Sequence, residues 1–274
     1  MTAPIVRLYV EALVAGSGAG TALVLVHGFT GDSTTWARLV PWLGVERRVL
    51  GVDLVGHGRS DAPAAPEAYT MGAAVASARA AVREAGAERA HWLGYSMGGR
   101  VALSLALEAP EAVASLTLVG ASPGIADPAA REARRKDDEA LADLIERQGL
   151  EAFVDRWMSN PLFDGQARLG PAYLAAARAQ RLAGRPRALA RTLAGMGTGA
   201  MAPLGARLGE VHAPVLVVAG EDDPKFRTLA GEMAARLPRA TVAVVPESGH
   251  GVHVEAPEAL GALVRAFLRR VEAM

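Results

Sequence analysis

Cysteine is absent from this chain of 274 residues. Its absence excludes disulfide bonds, thiolate metal ligands and a cysteine nucleophile together. An excess of charge of either sign is also absent, because lysine plus arginine number 29 and aspartate plus glutamate number 29. A chain with no net charge lacks the basic surface that nucleic-acid binding requires, so we expect no nucleic-acid partner.

Long hydrophobic runs are missing as well, so no segment is expected to insert into a membrane. The stretch from Met1 to Leu13 alternates in polarity and carries Arg7 and Glu11, unlike a signal peptide. We therefore expect a cytoplasmic protein. Hydrophobic residues make up 51% of the chain, enough for a sizeable core in one large domain or a domain with an insertion. The oligomeric state stays open, with a monomer as the default.

Short apolar segments alternate with helical patterns along most of the chain. This alternation predicts an α/β protein with a mostly parallel central sheet flanked by helices. The predicted strands are residues 5–13, 22–26, 48–52, 89–94, 116–120, 215–219 and 241–245. The predicted helices are residues 33–43, 71–85, 97–109, 226–237 and 257–271.

The stretch from residue 124 to 209 differs from the rest because it contains no convincing strand. It is rich in alanine and arginine, is broken by Pro161, Pro171 and Pro186, and includes a glycine-rich piece at 195–199. We interpret it as a helical cap inserted over the sheet. The predicted division is therefore a core of residues 1–123 and 210–274, with the cap at 124–209.

The segment Gly94-Tyr95-Ser96-Met97-Gly98 is a G-x-S-x-G sequence between a predicted strand and a predicted helix. This context is typical of the nucleophile elbow of the α/β-hydrolase fold. The chain must turn sharply there, and glycines remove the side chains that would collide across the turn. The sequence therefore predicts that Ser96 is a catalytic nucleophile at the carboxyl edge of the sheet.

A serine of this kind needs a base, and the base needs an acid that orients it. His250 follows the last predicted strand between two glycines and is the preferred base, with His253 as the alternative. The acid is expected after the strand at 215–219, where Glu221, Asp222 and Asp223 offer three carboxylates. Asp223 is the preferred acid and Asp222 the alternative, although spacing alone does not choose between them.

An oxyanion hole needs two backbone N–H groups aimed at the reacting oxygen. Met97 supplies one as the residue after the nucleophile, and Phe29 is the natural second donor because Gly28 permits a close approach. His27 is expected to have a structural role. The loop at 53–60 is expected to be a hydrogen-bonded scaffold rather than a source of catalytic groups.

Arg100 lies four residues after Ser96, so the two share one face of the predicted helix. A guanidinium there either holds a substrate carboxylate in bidentate fashion or points to the rim and pairs with a surface acid. The predicted cap adds Arg131, Arg134, Arg135, Lys136, Arg178, Arg181, Arg185, Arg187 and Arg191. Most of these should face solvent, and one or two turned inward would form a cationic roof.

Several segments coincide with one known family. They are GYSMGGR at 94–100, ASPGI at 121–125, RRKDD at 134–138, PLF at 161–163 after Trp157, GMGTG at 195–199 and GEDDPKF at 220–226. Together they resemble the family of 2-succinyl-6-hydroxy-2,4-cyclohexadiene-1-carboxylate synthases of menaquinone biosynthesis, and the likeness runs from His27 onward. One departure is Met201-Ala202-Pro203, where that family usually has a Gln-Pro pair.

The resemblance implies a lyase, not a hydrolase. Such an enzyme eliminates pyruvate from 2-succinyl-5-enolpyruvyl-6-hydroxy-3-cyclohexene-1-carboxylate, a small tricarboxylate. The resemblance implies no metal or other cofactor. The implied catalytic triad is Ser96, Asp223 and His250. The implied substrate-binding residues are Tyr95, Arg100, Arg134, Trp157 and Arg178.

Two other functions use the same fold. A serine hydrolase, acting on carboxylic esters or carbon–carbon bonds, would use the same triad, but a neutral ester gains nothing from a buried Arg100. A non-catalytic binding module has no chemical need for Ser96, Asp223 and His250 together, so it is disfavoured.

Overall fold

The computed structural model describes residues 3–16, 20–44 and 46–274. Its strands are β1 (Val10–Val14), β2 (Leu23–Val26), β3 (Val49–Val52), β4 (Ala90–Tyr95), β5 (Val113–Val119), β6 (Val215–Gly220) and β7 (Ala240–Val245). They form one sheet in the order β1-β3-β2-β4-β5-β6-β7. Only the β1–β3 pair is antiparallel in this described sheet, which confirms the predicted α/β fold with a mostly parallel sheet.

Helices cover both faces of the sheet. They are α1 (Met71–Glu84), α2 (Met97–Glu108), α3 (Pro128–Met158), α4 (Gly170–Leu182), α5 (Pro186–Met196), α6 (Pro224–Ala234), α7 (Val252–Glu255) and α8 (Pro257–Glu272). Short 3₁₀ helices lie at Ser33–Trp36, Val40–Trp42, Pro66–Tyr69, Pro110–Ala112, Pro161–Leu169 and Gly205–Glu210.

Strand β2 shows how the sheet separates two hydrophobic cores. Successive side chains of a strand point to opposite faces, and all four residues of β2 are buried. Val24 and Val26 join the core that includes α1 and α2, whereas Leu23 and Leu25 join the core beneath α8. Burial on both faces explains why this strand is a continuous apolar run.

Two predicted elements differ from the structure, and one helix was not predicted. The helix predicted at 33–43 is instead two 3₁₀ helices. Asp32 and Thr35 form a capping box for the first, and the second begins at Val40 with Pro41 in its first turn. The first strand starts at Val10 rather than at residue 5. Helix α7 was not among the predicted elements, and it follows His250 directly.

Residues 124–209, called the helical insertion below, contain α3, α4 and α5 and no strand. They have their own small core around Ile145, Phe153 and Leu193. Helix α3 is kinked at Gly149, where φ is +86°. The division of the chain into a core and a cap remains a prediction. The insertion follows β5 and precedes β6, and side chains from it line a cavity together with Ser96.

Candidate active site

The turn between β4 and α2 holds Ser96 in a strained backbone conformation. Its φ is +50° and its ψ is −108°, a region that residues with a side chain rarely adopt. A Cβ on Gly94 would overlap the carbonyl oxygen of Gly98, and one on Gly98 would overlap that of Val26. Only glycine therefore fits at these two positions of the predicted elbow. Ser96 lies immediately before α2, so its side chain stands at the N-terminal end of that helix.

Ser96, His250 and Asp223 are joined by hydrogen bonds. His250 Nε2 lies 3.2 Å from Ser96 Oγ, and His250 Nδ1 lies 2.8 Å from Asp223 Oδ2. His250 and Asp223 are 2% and 5% exposed, so this pair is shielded from water. With Nδ1–H donating to the carboxylate, the lone pair of Nε2 faces the serine hydroxyl. His250 can therefore accept a proton from the hydroxyl group of Ser96.

The neighbouring carboxylates are directed elsewhere. Asp222 is exposed and pairs with Arg168 at 2.9 Å, and Glu221 accepts the N–H of Glu247 at 3.2 Å. Asp223 also accepts the N–H of Phe226 at 3.1 Å, which caps α6 and holds the carboxylate in place. Of the three candidates, the structure brings only Asp223 to the histidine.

The alternative base, His253, lies away from Ser96. Its ring packs 4.2 Å from that of Tyr95 and 5.2 Å from that of Trp36, measured between ring centroids. Burial, with smaller contributions from His250 and Arg181, lowers the pKa of His253 to about 3, so the ring is neutral. Its Nδ1 is buried without a hydrogen-bond partner.

Glu255 on α7 fixes the loop that carries His250. Its carboxylate accepts the N–H of Gly249 at 2.8 Å and that of Gly251 at 3.0 Å, so it bonds to the residues on either side of the histidine. The side chain is 2% exposed and is also 3.4 Å from Arg168, which belongs to the helical insertion. Glu255 was not singled out from the sequence, because its contact with both glycines depends on the unpredicted helix α7.

The two predicted oxyanion donors lie at the same cavity as Ser96. Phe29 and Met97 both line it. Neither N–H donates to an acceptor within the described residues, so both are available to a substrate oxygen. Thr30, next to Phe29, has a φ of +67°, which shows how tightly this loop turns.

The other residues of these loops form a scaffold, as expected. His27 Nδ1 bonds to the carbonyl of Gly28 at 2.7 Å, and its Nε2 accepts the N–H of Leu54 at 3.0 Å. Asp53 accepts the N–H groups of Ser33 and Arg59. The polar side-chain atoms of His27 and Asp53 are thus hydrogen-bonded to backbone groups.

A cavity of about 480 Å³, called the reaction cavity below, opens between Ser96 and the helical insertion. Its residues include Phe29, Tyr95, Ser96, Met97, Arg100, Arg134, Asp137, Asp138, Trp157, Phe163, Arg181, Lys225 and His250. The lining therefore combines aromatic rings with four cationic and two acidic side chains. Such a lining suits a substrate with an apolar ring and several carboxylates.

Arg100 is the most buried of these cations, at 8% exposure. It donates to the carbonyl of Met196 at 2.5 Å and lies 3.5 Å from Met201 Sδ. No carboxylate among the described residues pairs with it within 4.0 Å. Burial, aided by Arg134, lowers its pKa to about 10, so it stays protonated at neutral pH. A buried cation without an acidic partner is costly, and binding an anion would offset that cost.

Arg134 also faces the reaction cavity, as predicted. Its Nε donates to Asp138 at 2.8 Å, and Asp138 is 2% exposed. A Cβ on Gly197 would collide with that carboxylate, so the glycine-rich piece permits α5 to approach α3. The terminal nitrogens of Arg134 remain for a ligand.

Arg178 does not face the reaction cavity, so this part of the predicted substrate-binding set is corrected. It pairs with Glu151 and Asp155, each at 2.8 Å, on the outer surface of the insertion. Arg181, one turn later on α4, lines the cavity instead. It is largely buried, which lowers its pKa, and its Nε has no hydrogen-bond partner. Spacing could not choose between them because the packing of α4 decides which side faces inward.

Tyr95 and Trp157 both line the reaction cavity. Burial raises the pKa of the Tyr95 phenol, so it stays protonated. The ring of Trp157 meets Phe29 edge to face, with centroids 5.3 Å apart, and its Nε1 is buried without a partner. These rings form the apolar part of the cavity.

Two general features of the described residues concern metals and membranes. Their histidine, aspartate and glutamate side chains nowhere form a group of three or more that could hold a metal ion. None of the described helices has both the length and the apolar character needed to cross a membrane.

The sheet order, the strained serine and the hydrogen-bonded Ser96–His250–Asp223 set define the class of α/β-hydrolase-fold proteins. A family model described as alpha/beta hydrolase fold matches residues 21–257. The chain is 38% identical to a putative 2-succinyl-6-hydroxy-2,4-cyclohexadiene-1-carboxylate synthase of Bacillus subtilis, over 93% of each chain.

Two solved structures are similar. MenH from S. aureus superimposes with a TM-score of 0.88 and 32% identity, covering 98% of this chain and 99% of that one. A thermophilic esterase from Thermogutta terrifontis, with malate bound, has a TM-score of 0.82 and 27% identity, covering 97% and 94%. This chain belongs to the alpha/beta hydrolase family and, within it, to the family of 2-succinyl-6-hydroxy-2,4-cyclohexadiene-1-carboxylate synthases.

Proposed function

We propose that this enzyme is a carbon–oxygen lyase that forms 2-succinyl-6-hydroxy-2,4-cyclohexadiene-1-carboxylate by eliminating pyruvate from its 5-enolpyruvyl precursor. The observation that carries this proposal is Arg100, a buried guanidinium in the same cavity as Ser96, with which no carboxylate of residues 3–16, 20–44 or 46–274 forms an ion pair. Membership of the synthase family supports the same reaction. The reaction belongs to menaquinone biosynthesis.

The substrate has three carboxylates, on the ring, the succinyl chain and the enolpyruvyl group. Three arginines line the reaction cavity, namely Arg100, Arg134 and Arg181. A planar guanidinium matches a carboxylate with two parallel hydrogen bonds, so each arginine can hold one of the three. Arg181 takes the role predicted for Arg178. Tyr95 and Trp157 would pack against the ring.

The proposed chemistry begins with removal of the ring proton next to the succinyl carbonyl. Ser96 Oγ accepts this proton as its own hydroxyl proton passes to His250 Nε2, and Asp223 stabilises the resulting imidazolium. The electron pair of the broken C–H bond forms a new ring double bond. The existing double bond shifts by one position and expels the enolate of pyruvate. This enolate takes up one proton and becomes pyruvate, while the imidazolium of His250 gives up the proton it gained, so the step balances. No acyl-enzyme forms.

Negative charge develops on the succinyl carbonyl oxygen as the proton leaves. The free N–H groups of Phe29 and Met97 are the proposed donors to that oxygen, and α2 points its positive end at it. Such preorganised donors typically contribute about 3–4 kcal/mol to a transition state.

A serine hydrolase acting on carboxylic esters or carbon–carbon bonds is the second candidate. It is favoured by the hydrogen bond between Ser96 and His250, which would equally activate the serine for acyl transfer. The similar esterase structure points the same way. A hydrolase that acts on a neutral ester, however, would gain no binding energy from the buried charge of Arg100.

Pyruvate release from the enolpyruvyl substrate tests the proposal. Purified protein should release pyruvate in step with formation of the conjugated diene, which absorbs in the ultraviolet. Lactate dehydrogenase and NADH measure the pyruvate independently. Fast hydrolysis of simple esters without any pyruvate release would instead establish the hydrolase.

We place this reaction in the cytoplasm. A tricarboxylate does not cross a lipid bilayer unaided, because each charge loses its hydration there. The enzyme must therefore share a compartment with the reaction that makes its substrate. The proposed binding partner is a small anionic molecule, the tricarboxylate substrate.

Glu255→Gln should lower kcat about tenfold and leave KM within about twofold. The amide can accept only one of the two glycine N–H groups and turns its own NH₂ toward the other. His250 then loses its fixed position, whereas the arginines that bind substrate are untouched. Steady-state kinetics of pyruvate release measure the effect.

The matched control is Glu258→Gln, an exposed glutamate three residues further along the chain, at the start of α8. It should keep the wild-type kcat. A wild-type kcat in Glu255→Gln, with the protein folded, would show that the glycine contacts do not position the histidine.

A further inference from the structure

A second cavity lies beside the reaction cavity and shares a wall with it. Phe29, Tyr95 and Arg181 line both. The second cavity, called the side chamber below, has a volume of about 520 Å³ and lies between α4 and the 3₁₀ helix Ser33–Trp36. A small molecule could therefore pass from one cavity to the other if these shared side chains moved.

The side chamber has an open mouth and a buried floor. Thr34, Arg38 and Ala176 line its mouth and are exposed. Tyr95 and His253, at its inner end, are 8% and 3% exposed. The chamber therefore extends from the surface to side chains that also line the reaction cavity.

The charged side chains that line the side chamber are cationic. Its lining includes Arg38 and Arg181 but no aspartate or glutamate. Among the described residues, neither arginine forms an ion pair: Arg38 donates to the carbonyl of Val254 at 3.0 Å, and Arg181 donates to that of Ala177 at 2.8 Å. The reaction cavity, in contrast, contains Asp137 and Asp138.

Unpartnered polar atoms lie at the inner end of the chamber. Arg181 Nε and His253 Nδ1 are both buried, and neither has a hydrogen-bond partner in the part of the chain that the structure describes. Buried polar groups are usually satisfied, and each one left unpaired costs about 1–3 kcal/mol. An anion with several acceptor oxygens can approach the guanidinium of Arg181 there.

We propose that the side chamber binds short-chain carboxylates and is the route by which the small carboxylate product leaves. This role rests on the proposed function, in which that product is pyruvate. Arg181 borders both cavities, so its guanidinium can stay paired with the carboxylate as the anion moves from one to the other. The anion is then never buried without a counter-charge. The ring product stays behind with Arg100 and Arg134 and leaves separately.

Inhibition by added pyruvate tests this proposal in the wild-type enzyme. Pyruvate in the side chamber leaves room for the ring substrate, so inhibition should be noncompetitive. Two variants alter the side chamber at residues that do not line the reaction cavity: Arg38→Gln removes a cation at the mouth, and Ala176→Trp fills the mouth from an exposed position on α4. Each should raise the inhibition constant for pyruvate at least about tenfold.

The control is Arg135→Gln. Arg135 pairs with Glu132 and Glu139 on the exposed face of α3 and lines neither cavity. The inhibition constant of pyruvate for Arg135→Gln should equal that for the wild type. Purely competitive inhibition that all three variants leave unchanged would place pyruvate in the reaction cavity and overturn the proposal.

Direct binding separates this proposal from the proposed function. Saturation-transfer NMR on the methyl protons of pyruvate reports binding without any turnover. Binding that Ala176→Trp and Arg38→Gln abolish supports the carboxylate site, even in a protein that releases no pyruvate from the enolpyruvyl substrate. Pyruvate release without any binding that these variants weaken would overturn the side chamber and leave the proposed function intact.

Discussion

Ser96→Ala should lower the rate of pyruvate release by about 10³-fold or more while the protein stays folded. The hydroxyl is the only link between His250 Nε2 and the ring proton in the proposed mechanism, and general acid–base groups contribute about 10²–10⁴-fold. Alanine keeps the Cβ, so the strained turn at this position changes little. The coupled pyruvate assay measures the rate, and circular dichroism measures the fold.

A matched control is Ser104→Ala on the same helix. Ser104 is 2% exposed and its hydroxyl has no hydrogen-bond partner, so its loss should affect neither rate nor fold. A folded Ser96→Ala protein with the wild-type rate would remove Ser96 from the mechanism. A serine-directed sulfonyl fluoride should inactivate the wild type and the Ser104 variant alike.

Arg100→Met should lower kcat/KM for the tricarboxylate by roughly a hundredfold to several thousandfold. Methionine keeps much of the aliphatic bulk but removes the cation proposed to hold a substrate carboxylate in a buried site. Removing one partner of a buried charge pair costs about 3–5 kcal/mol, which corresponds to this range. Hydrolysis of a neutral ester, where measurable, should change little.

The same substitution should leave the thermal unfolding temperature unchanged or raise it. Arg100 has no acidic partner within 4.0 Å among the described residues, so in the free protein its burial opposes folding. Arg135→Met, on the exposed face of α3, is the matched control and should retain the wild-type kcat/KM. Equal losses for the tricarboxylate and the neutral ester would mean that Arg100 serves the structure and not the substrate.

The choice between Arg178 and Arg181 shows where sequence patterns reach their limit. Arg178 and Arg181 lie three residues apart on one helix, and both belong to an arginine-rich segment. Which of them enters the cavity depends on how α4 packs over Phe29 and Tyr95, and no local pattern records that packing. The helix predicted at 33–43 is wrong for a different reason: the helical pattern is interrupted between Trp36 and Val40, and Pro41 lies in the first turn of the second short helix.

The amino-acid sequence by itself determined the elbow and the fold class. Gly94 and Gly98 are required by contacts within a few residues of Ser96 or with the adjoining strand, so a local motif is enough to predict the turn. The alternation of apolar strands with helices likewise follows from burial on both faces of a parallel sheet.

Only the tertiary structure decided which of the neighbouring candidates meet. Asp223 rather than Asp222 faces His250, and Arg181 rather than Arg178 faces the reaction cavity. Glu255 reaches the histidine loop only because α7 turns back upon it. Hydrogen bonds and ion pairs act over about 3–4 Å, and distances of that size between remote segments are set by packing and not by spacing along the chain.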